Sequence, residues 1–314
     1  MVCSPSRSET ASALNGAVDF DNLIQAHVPL AHYTSFRVGG QAEFYAEPSN
    51  LAETEACFAW YLQNLDGFPI TILGAGSNLL ISDRGIPGLT INTKKIRYYQ
   101  AQEEAGILIA SAGEPIARLA WQAAKRGWKG LEWAVGIPGS VGGSVVMNAG
   151  AHQGCVADRL VWLKVLDPDG TIHQLSPADL DYRYRTSNLQ GGDRLVLEAA
   201  FQLEPGFDKE AVRAETNRNL KMRKSTQPYH LPSCGSVFRN PYPEAAGHLI
   251  EQTGLKGYQI GGAQVAERHA NFIVNCGGAK AMDIFRLIHH VQEQVEQTWE
   301  ILLKPEVKIL GDFS

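Results

Sequence analysis

Three stretches of this sequence hold residue types that a hydrophobic core does not require. Gly136-Ile137-Pro138-Gly139-Ser140-Val141-Gly142-Gly143 places four glycines in eight positions, and Gly74-Ala75-Gly76-Ser77-Asn78 is a second loop poor in side chains. Glycine permits positive φ and leaves backbone N–H groups bare, and consecutive bare amides beside a helix start cradle anionic oxygen, typically a phosphate. One such loop is more often a tight turn that needs room; two in one chain shift the balance toward a bound diphosphate, with Ser77 and Asn78 adding side-chain donors. The third stretch is Ser233-Cys234-Gly235-Ser236-Val237-Phe238-Arg239-Asn240-Pro241. It admits a hydrolytic nucleophile, but Gly-x-Ser-x-Gly is absent and no His/Asp pair accompanies it. A reactive Cys234 needs a neighbouring cation, for which Arg239 is a candidate, and a tight turn around a buried cysteine is an equally good reading. Tyr184-Arg185 and Lys304-Pro305-Glu306-Val307-Lys308 are open in the same way, because interior Arg and Glu often pair only to satisfy each other.

The elements that must position these stretches follow from periodicity and punctuation. A short helix is expected over Val18 to Gln25, a strand over Ala42 to Glu47 stopped by Pro48, and a helix from Leu51 to Leu65 behind an Asn50 cap. Pro69 to Leu73 reads as a buried strand that delivers the loop at Gly74. The dinucleotide fingerprint G-x-G-x-x-G would need glycine at position 79, which is Leu, and strand-like residues follow, so a Rossmann unit is rejected. Leu89 to Asn92 and Gly106 to Ser111 look like strands, and Glu114 to Arg126 like an amphipathic helix ended by Gly127. Leu131 to Val135 reads as the end of a strand that breaks into the second glycine loop. Asp167-Pro168-Asp169-Gly170 turns a hairpin between Leu160–Leu166 and Thr171–Leu175. Ser176-Pro177 opens a helical turn, Leu195 to Leu203 is a strand, and Pro205-Gly206 marks a boundary. A helix over about Lys209 to Lys224 exposes Arg218, Lys221, Arg223 and Lys224 as a solvated face. Gln227 to Pro241 is a loop, and Glu306 to Leu310 is a terminal strand.

Composition narrows the function classes. The 314 residues carry a net charge of −5, which argues against a general nucleic-acid or anionic-membrane binder. No apolar run approaches a membrane span, and Met1 to Gly16 lacks the apolar segment of a secretory signal, which makes it a tail. The five cysteines are odd in number and show neither C-x-x-C nor a zinc spacing, so free thiols in a reducing cytoplasm and no metal site are expected.

Taken together, the motifs carry a resemblance. Thr34-Ser35-Phe36-Arg37-Val38-Gly39-Gly40, Ile72 to Leu80, and Gly136 to Gly143 with Asn148-Ala149-Gly150-Ala151 are similar, in this order, to the flavoenzyme family of UDP-N-acetylenolpyruvoylglucosamine reductases. The order continues with Tyr184-Arg185-Thr186-Ser187, Pro232 to Phe238, Ile260 to Val265, His269-Ala270-Asn271-Phe272-Ile273-Val274-Asn275 and Pro305-Glu306-Val307. The Cys-Gly-Ser-Val-Phe form resembles the family's shorter, second type. Two positions depart: Lys304 and Lys308 stand where relatives often carry Glu and Arg.

The resemblance implies an α+β fold: an FAD-binding half of the vanillyl-alcohol-oxidase/PCMH type in two subdomains, with a C-terminal α+β substrate-binding domain. The expected division is a tail at 1–17, subdomains at 18–85 and 86–205, and the substrate domain at 206–314. FAD would be held by Arg37, Gly74, Ala75, Gly76, Ser77, Asn78, Gly136, Pro138, Gly139, Ser140, Gly142, Gly143, Asn148 and Ala149. NADPH would reduce the flavin and leave, and a UDP-linked enolpyruvyl amino sugar would take its place to be reduced to UDP-N-acetylmuramate, a peptidoglycan precursor. Arg185 would hold the substrate carboxylate, Glu306 would hydrogen-bond and polarise it, and Ser236 would deliver a proton. Tyr184, Arg239, Asn240 and His269 would contact the substrate. A cytoplasmic monomer without nucleic-acid or membrane partners is the expected form.

Overall fold

The computed structural model describes residues 23–65 and 67–314. The expected tail lies outside the described residues, as do residues 18–22 of the expected first helix. Of the described end of that segment, Leu23 is helical, whereas Ile24 and Gln25 open strand β1 (Ile24–Pro29), which ladders antiparallel onto β2 (Gln41–Ala46). Helix α1 (Leu51–Asn64) follows; Asn50 caps it by accepting from the Glu53 amide at 2.9 Å, and the Glu53 carboxylate accepts from the Ser49 amide at 2.7 Å. Next come β3 (Ile70–Leu73), β4 (Leu79–Ile81) and β5 (Ile86–Asn92). The first sheet has the order β1-β2-β5-β3, with β2, β5 and β3 parallel. β5 therefore lies inside this sheet with Leu89 and Ile91 buried, and the expected division at 85 cuts through it. Long-range pairing decided the sheet, and no local signal at residue 85 records it.

The second sheet is antiparallel. It uses β6 (Tyr99–Gln102), which sequence reading missed, and β7 (Ile107–Ser111), then α2 (Ile116–Arg126) and α3 (Val141–Val146) pack on it. α2 buries Ile116, Leu119, Ala120, Ala123 and Ala124, the stripe its 3.6-residue period requires, and Gly127 ends it in the left-handed conformation. Between α2 and α3 the expected strand end at Leu131 to Val135 is instead a single 3₁₀ turn over Glu132–Ala134. Local bonds to one backbone group decide this: the Glu132 carboxylate accepts from the Gly130 amide at 2.8 Å, and the buried Trp133 indole donates to the Gly130 carbonyl at 3.0 Å. The hairpin β8 (Gly150–Ala151) and β9 (Gly154–Cys155) leads to β10 (Leu160–Leu166), β11 (Ile172–Leu175) and β12 (Leu195–Gln202), giving the order β11-β10-β12-β7-β6.

Helix α4 (Lys209–Thr226) packs on α2 and on the 3₁₀ turn, with Leu220 against the second core and Asn219 donating to the Glu132 carbonyl at 3.1 Å. It thus sits with the second sheet rather than with the expected substrate domain. The C-terminal body follows: α5 (Ala246–Gln252), a small sheet of β13 (Gln259–Ile260), β14 (Ala263–Val265) and β15 (Ile273–Asn275), and α6 (Ala281–Trp299). α6 buries Ile284, Leu287, Ile288, Val291 and Val295, each such side chain stabilising by about 1.5–3 kcal/mol. The last strand, β16 (Lys308–Leu310), returns to pair in parallel with β4, which carries the chain's C-terminal end back onto the first glycine loop. Phe36, Val38 and Leu80 from the N-terminal half are buried in the same core as α6.

Candidate active site

The three bodies enclose a cleft of about 860 Å³. One wall is backbone. Residues 74–78 leave β3 and residues 138–140 lead into α3, and both line the cleft, as do Gly142, Gly143 and Ser144 at the start of α3. They touch: a Cβ on Gly74 would lie 2.5 Å from Ser140 Oγ, so the second loop can approach only because position 74 has no side chain. Gly76, at φ +64°, packs against the Tyr33 carbonyl with no room for a Cβ, and its own carbonyl accepts from the Ser35 amide at 2.9 Å. Gly139 and Gly143 differ. A Cβ on Gly139 would make only ordinary contacts, 3.4 Å to Ser144 Oγ and 3.8 Å to Ser77 Oγ, and one on Gly143 would meet only Ser140 Oγ at 3.5 Å. Among the described residues, nothing accepts from the amides of Ala75, Gly76, Ser77, Gly139 or Ser140. A set of amides without protein acceptors, in two loops that line one cleft, suits an anionic, diphosphate-bearing ligand.

The facing wall is made of side chains. Arg185 stands on a four-residue turn in which Arg183 and Thr186 exchange both backbone bonds at 3.1 Å, and it takes the left-handed conformation, φ +56°. Four side chains fasten this turn to its surroundings. Tyr182 Oη donates to the Val145 carbonyl at 3.0 Å, Ser187 Oγ to the Val146 carbonyl at 2.7 Å, Asn148 Nδ2 to the Arg183 carbonyl at 3.0 Å and Gln190 Nε2 to the Arg185 carbonyl at 3.0 Å. The guanidinium reaches Glu306 Oε1 at 3.2 Å and the Gly150 carbonyl at 2.6 Å, and lies 5.1 Å from the centre of the Tyr184 ring. Glu306 is fixed through its backbone: its N–H donates to the Val237 carbonyl at 2.7 Å, and its carbonyl accepts from Asn78 Nδ2 at 3.1 Å. That pairing sets Glu306 beside the Cys234–Phe238 segment, so Ser236, Arg185 and Glu306 all line one cleft. Burial pushes the Glu306 carboxyl above its ordinary range, against the pull of Arg185 and Arg239. Burial, with Glu306 beside it, also pushes the Cys234 thiol up, which removes the thiolate a nucleophile would need.

Of the residues expected here, Gly74, Ala75, Gly76, Ser77, Asn78, Pro138, Gly139, Ser140, Gly142, Gly143, Ala149, Tyr184, Arg185, Ser236, Asn240 and Glu306 line the cleft. Arg37, Gly136, Asn148, Arg239 and His269 are not in its lining. Arg37 is exposed at φ +58°, and its neighbour Phe36 is fully buried in the C-terminal core. Gly136, at φ +74°, packs under Leu220 and Tyr229, whose hydroxyl donates to its carbonyl at 2.9 Å. Asn148 is a buried bracket between the Arg183 carbonyl and the Ala157 amide. His269 accepts from the Asn271 amide at 3.3 Å and tilts against Phe272, and burial lowers its basicity. Arg239 Nε has no hydrogen-bond partner among the described residues, and its charge bears on Glu306 and Lys308. Asn240 accepts from the Ala246 amide at 3.0 Å, at the start of α5. Arg223, expected as part of a solvated helix face, instead lines the cleft and donates to Tyr229 Oη at 3.3 Å.

Comparison with known proteins decides the family. Residues 42–176 match a family described as FAD binding domain, and residues 227–310 match UDP-N-acetylenolpyruvoylglucosamine reductase, C-terminal domain. A UDP-N-acetylenolpyruvoylglucosamine reductase of Synechocystis sp. is 55% identical over 321 residues, covering 100% of both chains. One of Trichormus variabilis is 58% identical over 291 residues, covering 93% of this chain and 87% of its own. The chain belongs to the UDP-N-acetylenolpyruvoylglucosamine reductase family. The crystal structure of the Thermus caldophilus reductase superposes with a TM-score of 0.78 at 33% identity, covering 92% of this chain and 99% of that one. The α+β fold, an FAD-binding half in two subdomains plus a C-terminal body, is the one expected, and the chain is an FAD-binding oxidoreductase.

Within this reductase fold, sequence reasoning missed the residues that hold the site in register. Asn271 is buried; it accepts from the Phe238 amide at 2.9 Å and donates to the Phe238 carbonyl at 2.8 Å, and its own carbonyl accepts from the Val237 amide. Asn275, also buried, donates to the Phe36 carbonyl at 2.9 Å. Both asparagines stand in the motif that was read for His269, where two amides in an apolar run were the available signal. Gln190 follows the Tyr184–Ser187 motif with no signal of its own. Among the described residues no helix is long and apolar enough to cross a membrane, and no group of His, Cys, Asp and Glu could hold a metal ion.

Proposed function

We propose that this cleft reduces the enolpyruvyl group of UDP-N-acetylglucosamine enolpyruvate to a lactyl group, giving UDP-N-acetylmuramate for peptidoglycan synthesis, with NADPH as the hydride donor. The observation that carries the reading is the meeting of Arg185, Glu306 and Ser236 in one cleft with two bare-amide loops. FAD, when bound, would supply the hydride relay between NADPH and the substrate. The amides of Ala75, Gly76, Ser77, Gly139 and Ser140 would hold its diphosphate, and the missing side chains at Gly139 and Gly143 would let it approach.

The chain's own side chains supply the rest. Arg185 offers a fixed guanidinium to the substrate carboxylate and to the negative charge that develops beside it. Glu306, whose carboxyl burial pushes up against the pull of Arg185 and Arg239, would hydrogen-bond that carboxylate in its protonated form. Hydride addition to the methylene carbon leaves the neighbouring carbon carbanionic, and the Ser236 hydroxyl delivers the proton it requires. Serine is a weak acid, adequate beside so strong a base when oriented, and the bonds from Asn271 to residues 237 and 238 orient its segment. Cys234, buried and protonated, takes no part.

The test is anaerobic: NADPH is added to the flavin-loaded protein, then the enolpyruvyl nucleotide, with flavin absorbance followed throughout. Bleaching by the first and recovery with the second is the expected result. Recovery only on admitting oxygen would mark an oxidase instead.

A further inference from the structure

We infer that Lys308 and Gln190 are positioning residues that hold the Arg185 turn against Glu306 across the junction between the FAD-binding half and the C-terminal body. Lys308 lies two residues beyond Glu306 on an extended run, so both side chains line the cleft. Its backbone is pinned to the first glycine loop, the N–H donating to the Asn78 carbonyl at 3.0 Å. Its ammonium donates to Gln190 Oε1 at 2.7 Å. The same amide then donates through Nε2 to the Arg185 carbonyl at 3.0 Å and to the Val146 carbonyl at 3.3 Å. One side-chain amide thus ties together the C-terminal strand, the end of α3 and the residue whose guanidinium meets Glu306.

Three features make this a strut rather than an incidental contact. The Arg185 backbone is left-handed, which costs about 1–3 kcal/mol and persists only where the surroundings impose it. Among the described residues Lys308 forms no ion pair, so its charge is committed to a neutral acceptor, and a charge-assisted bond is roughly twice as strong as a neutral one. Gln190 reaches both partners with opposite ends of one amide, so losing either end frees the other.

The functional readout rests on the reductase reading, whereas the structural one does not. Lys308→Met, Gln190→Leu, the double variant and Lys308→Arg are compared with the parent as flavin-loaded proteins. Each single loss should slow reoxidation by the enolpyruvyl nucleotide about tenfold, because small displacements of a binding group are costly to rate. Bleaching by NADPH should keep its rate. The double variant should be no slower than either single, since both break one strut, and Lys308→Arg should recover most of the rate. Amide hydrogen exchange at residues 183–188 should quicken in Lys308→Met and Gln190→Leu alike, whatever the reaction proves to be. A double variant slowed about a hundredfold, or a slow Lys308→Met beside a normal Gln190→Leu, would show Lys308 acting on the substrate directly and overturn the proposal. Unchanged exchange in the turn would overturn it too. A parent that fails to bleach and recover would remove the reductase reading and leave the exchange experiment to decide the strut.

Discussion

The two walls of the cleft are built on opposite principles. The glycine wall offers backbone amides, and its shape depends on what is missing: Gly74 makes room for Ser140, Gly76 for the Tyr33 carbonyl, and Gly139 and Gly143 stand where a Cβ would make only ordinary contacts. The charged wall offers side chains, and its shape depends on bonds between residues far apart in sequence: Arg185 to Glu306, Asn78 to the Glu306 backbone, Lys308 to Gln190. A charged side chain needs brackets, and Asn148, Tyr182, Ser187, Gln190 and Asn271 are spent on them. Electrostatic stabilisation depends on such preorganisation, which is why so many polar side chains here hold backbone and not ligand.

Substitution within the glycine wall gives the largest effect and also divides it. Gly76→Ala would force a Cβ into the Tyr33 carbonyl in a left-handed backbone, and a loss of about 3 kcal/mol or more is expected, read as a lowered denaturation midpoint. Gly139→Val should leave the apoprotein's midpoint near that of the parent and yet give a colourless protein, because its Cβ would make only ordinary contacts with the chain while the branched side chain would enter the cleft. Equal midpoints for the two variants would erase the distinction drawn between structural and ligand-facing glycines.

On the charged wall, Ser236→Ala should bind flavin and be bleached by NADPH at close to the parent rate. Reoxidation by the enolpyruvyl nucleotide should then slow by a factor on the order of 10² or more, the scale for losing a placed general acid. Adding Glu306→Gln should cost less than the two losses combined. A normal reoxidation rate in Ser236→Ala would transfer the proton to water or to Glu306.

A smaller effect concerns pH. Arg239 helps to hold the Glu306 carboxylate charged, so Arg239→Met should raise the carboxyl further. If reoxidation needs protonated Glu306, its rate falls as pH rises through that group, and the alkaline limb of the Arg239→Met profile should move to higher pH. The stability profile must agree in sign. A raised carboxyl contributes stability that is fully present below its unfolded pKa and lost as pH rises through the folded one. An alkaline limb that moves down, or stays, would detach Glu306 from that limb. The smallest effect is expected from Cys234→Ala, which should keep flavin and most turnover; complete loss in a folded protein would restore a covalent role to sulfur.

How much of this was legible in the chain varies with the kind of bond involved. The helix over 51–64, its Asn50 cap, the stop at Gly127 and the hairpin at 167–170 depend on neighbours a few residues away, and each was read from sequence. The same locality made the two glycine loops visible as segments poor in side chains, since a missing side chain is written in the sequence itself. The start of β1 and β5's place in the first sheet depend on strands elsewhere in the chain, and no local signal carries them; the small sheet at 259–275 opens on a hairpin across Gly261-Gly262, a local signal that the sequence reading passed over. Glu132–Ala134 failed for the reverse reason, an apolar run overruled by side-chain bonds to Gly130. Within the site, motif membership pointed to Arg37 and His269, but only tertiary structure could show Phe36 and Asn271 as the residues those motifs use for packing and bracketing. The sequence determined by itself which residue types and loops were available to the chemistry, because composition and spacing are local. Which of them face one another, and that Lys308 and Gln190 stand between Glu306 and the Arg185 turn, was decided by the return of the last strand onto β4, a contact between segments more than two hundred residues apart.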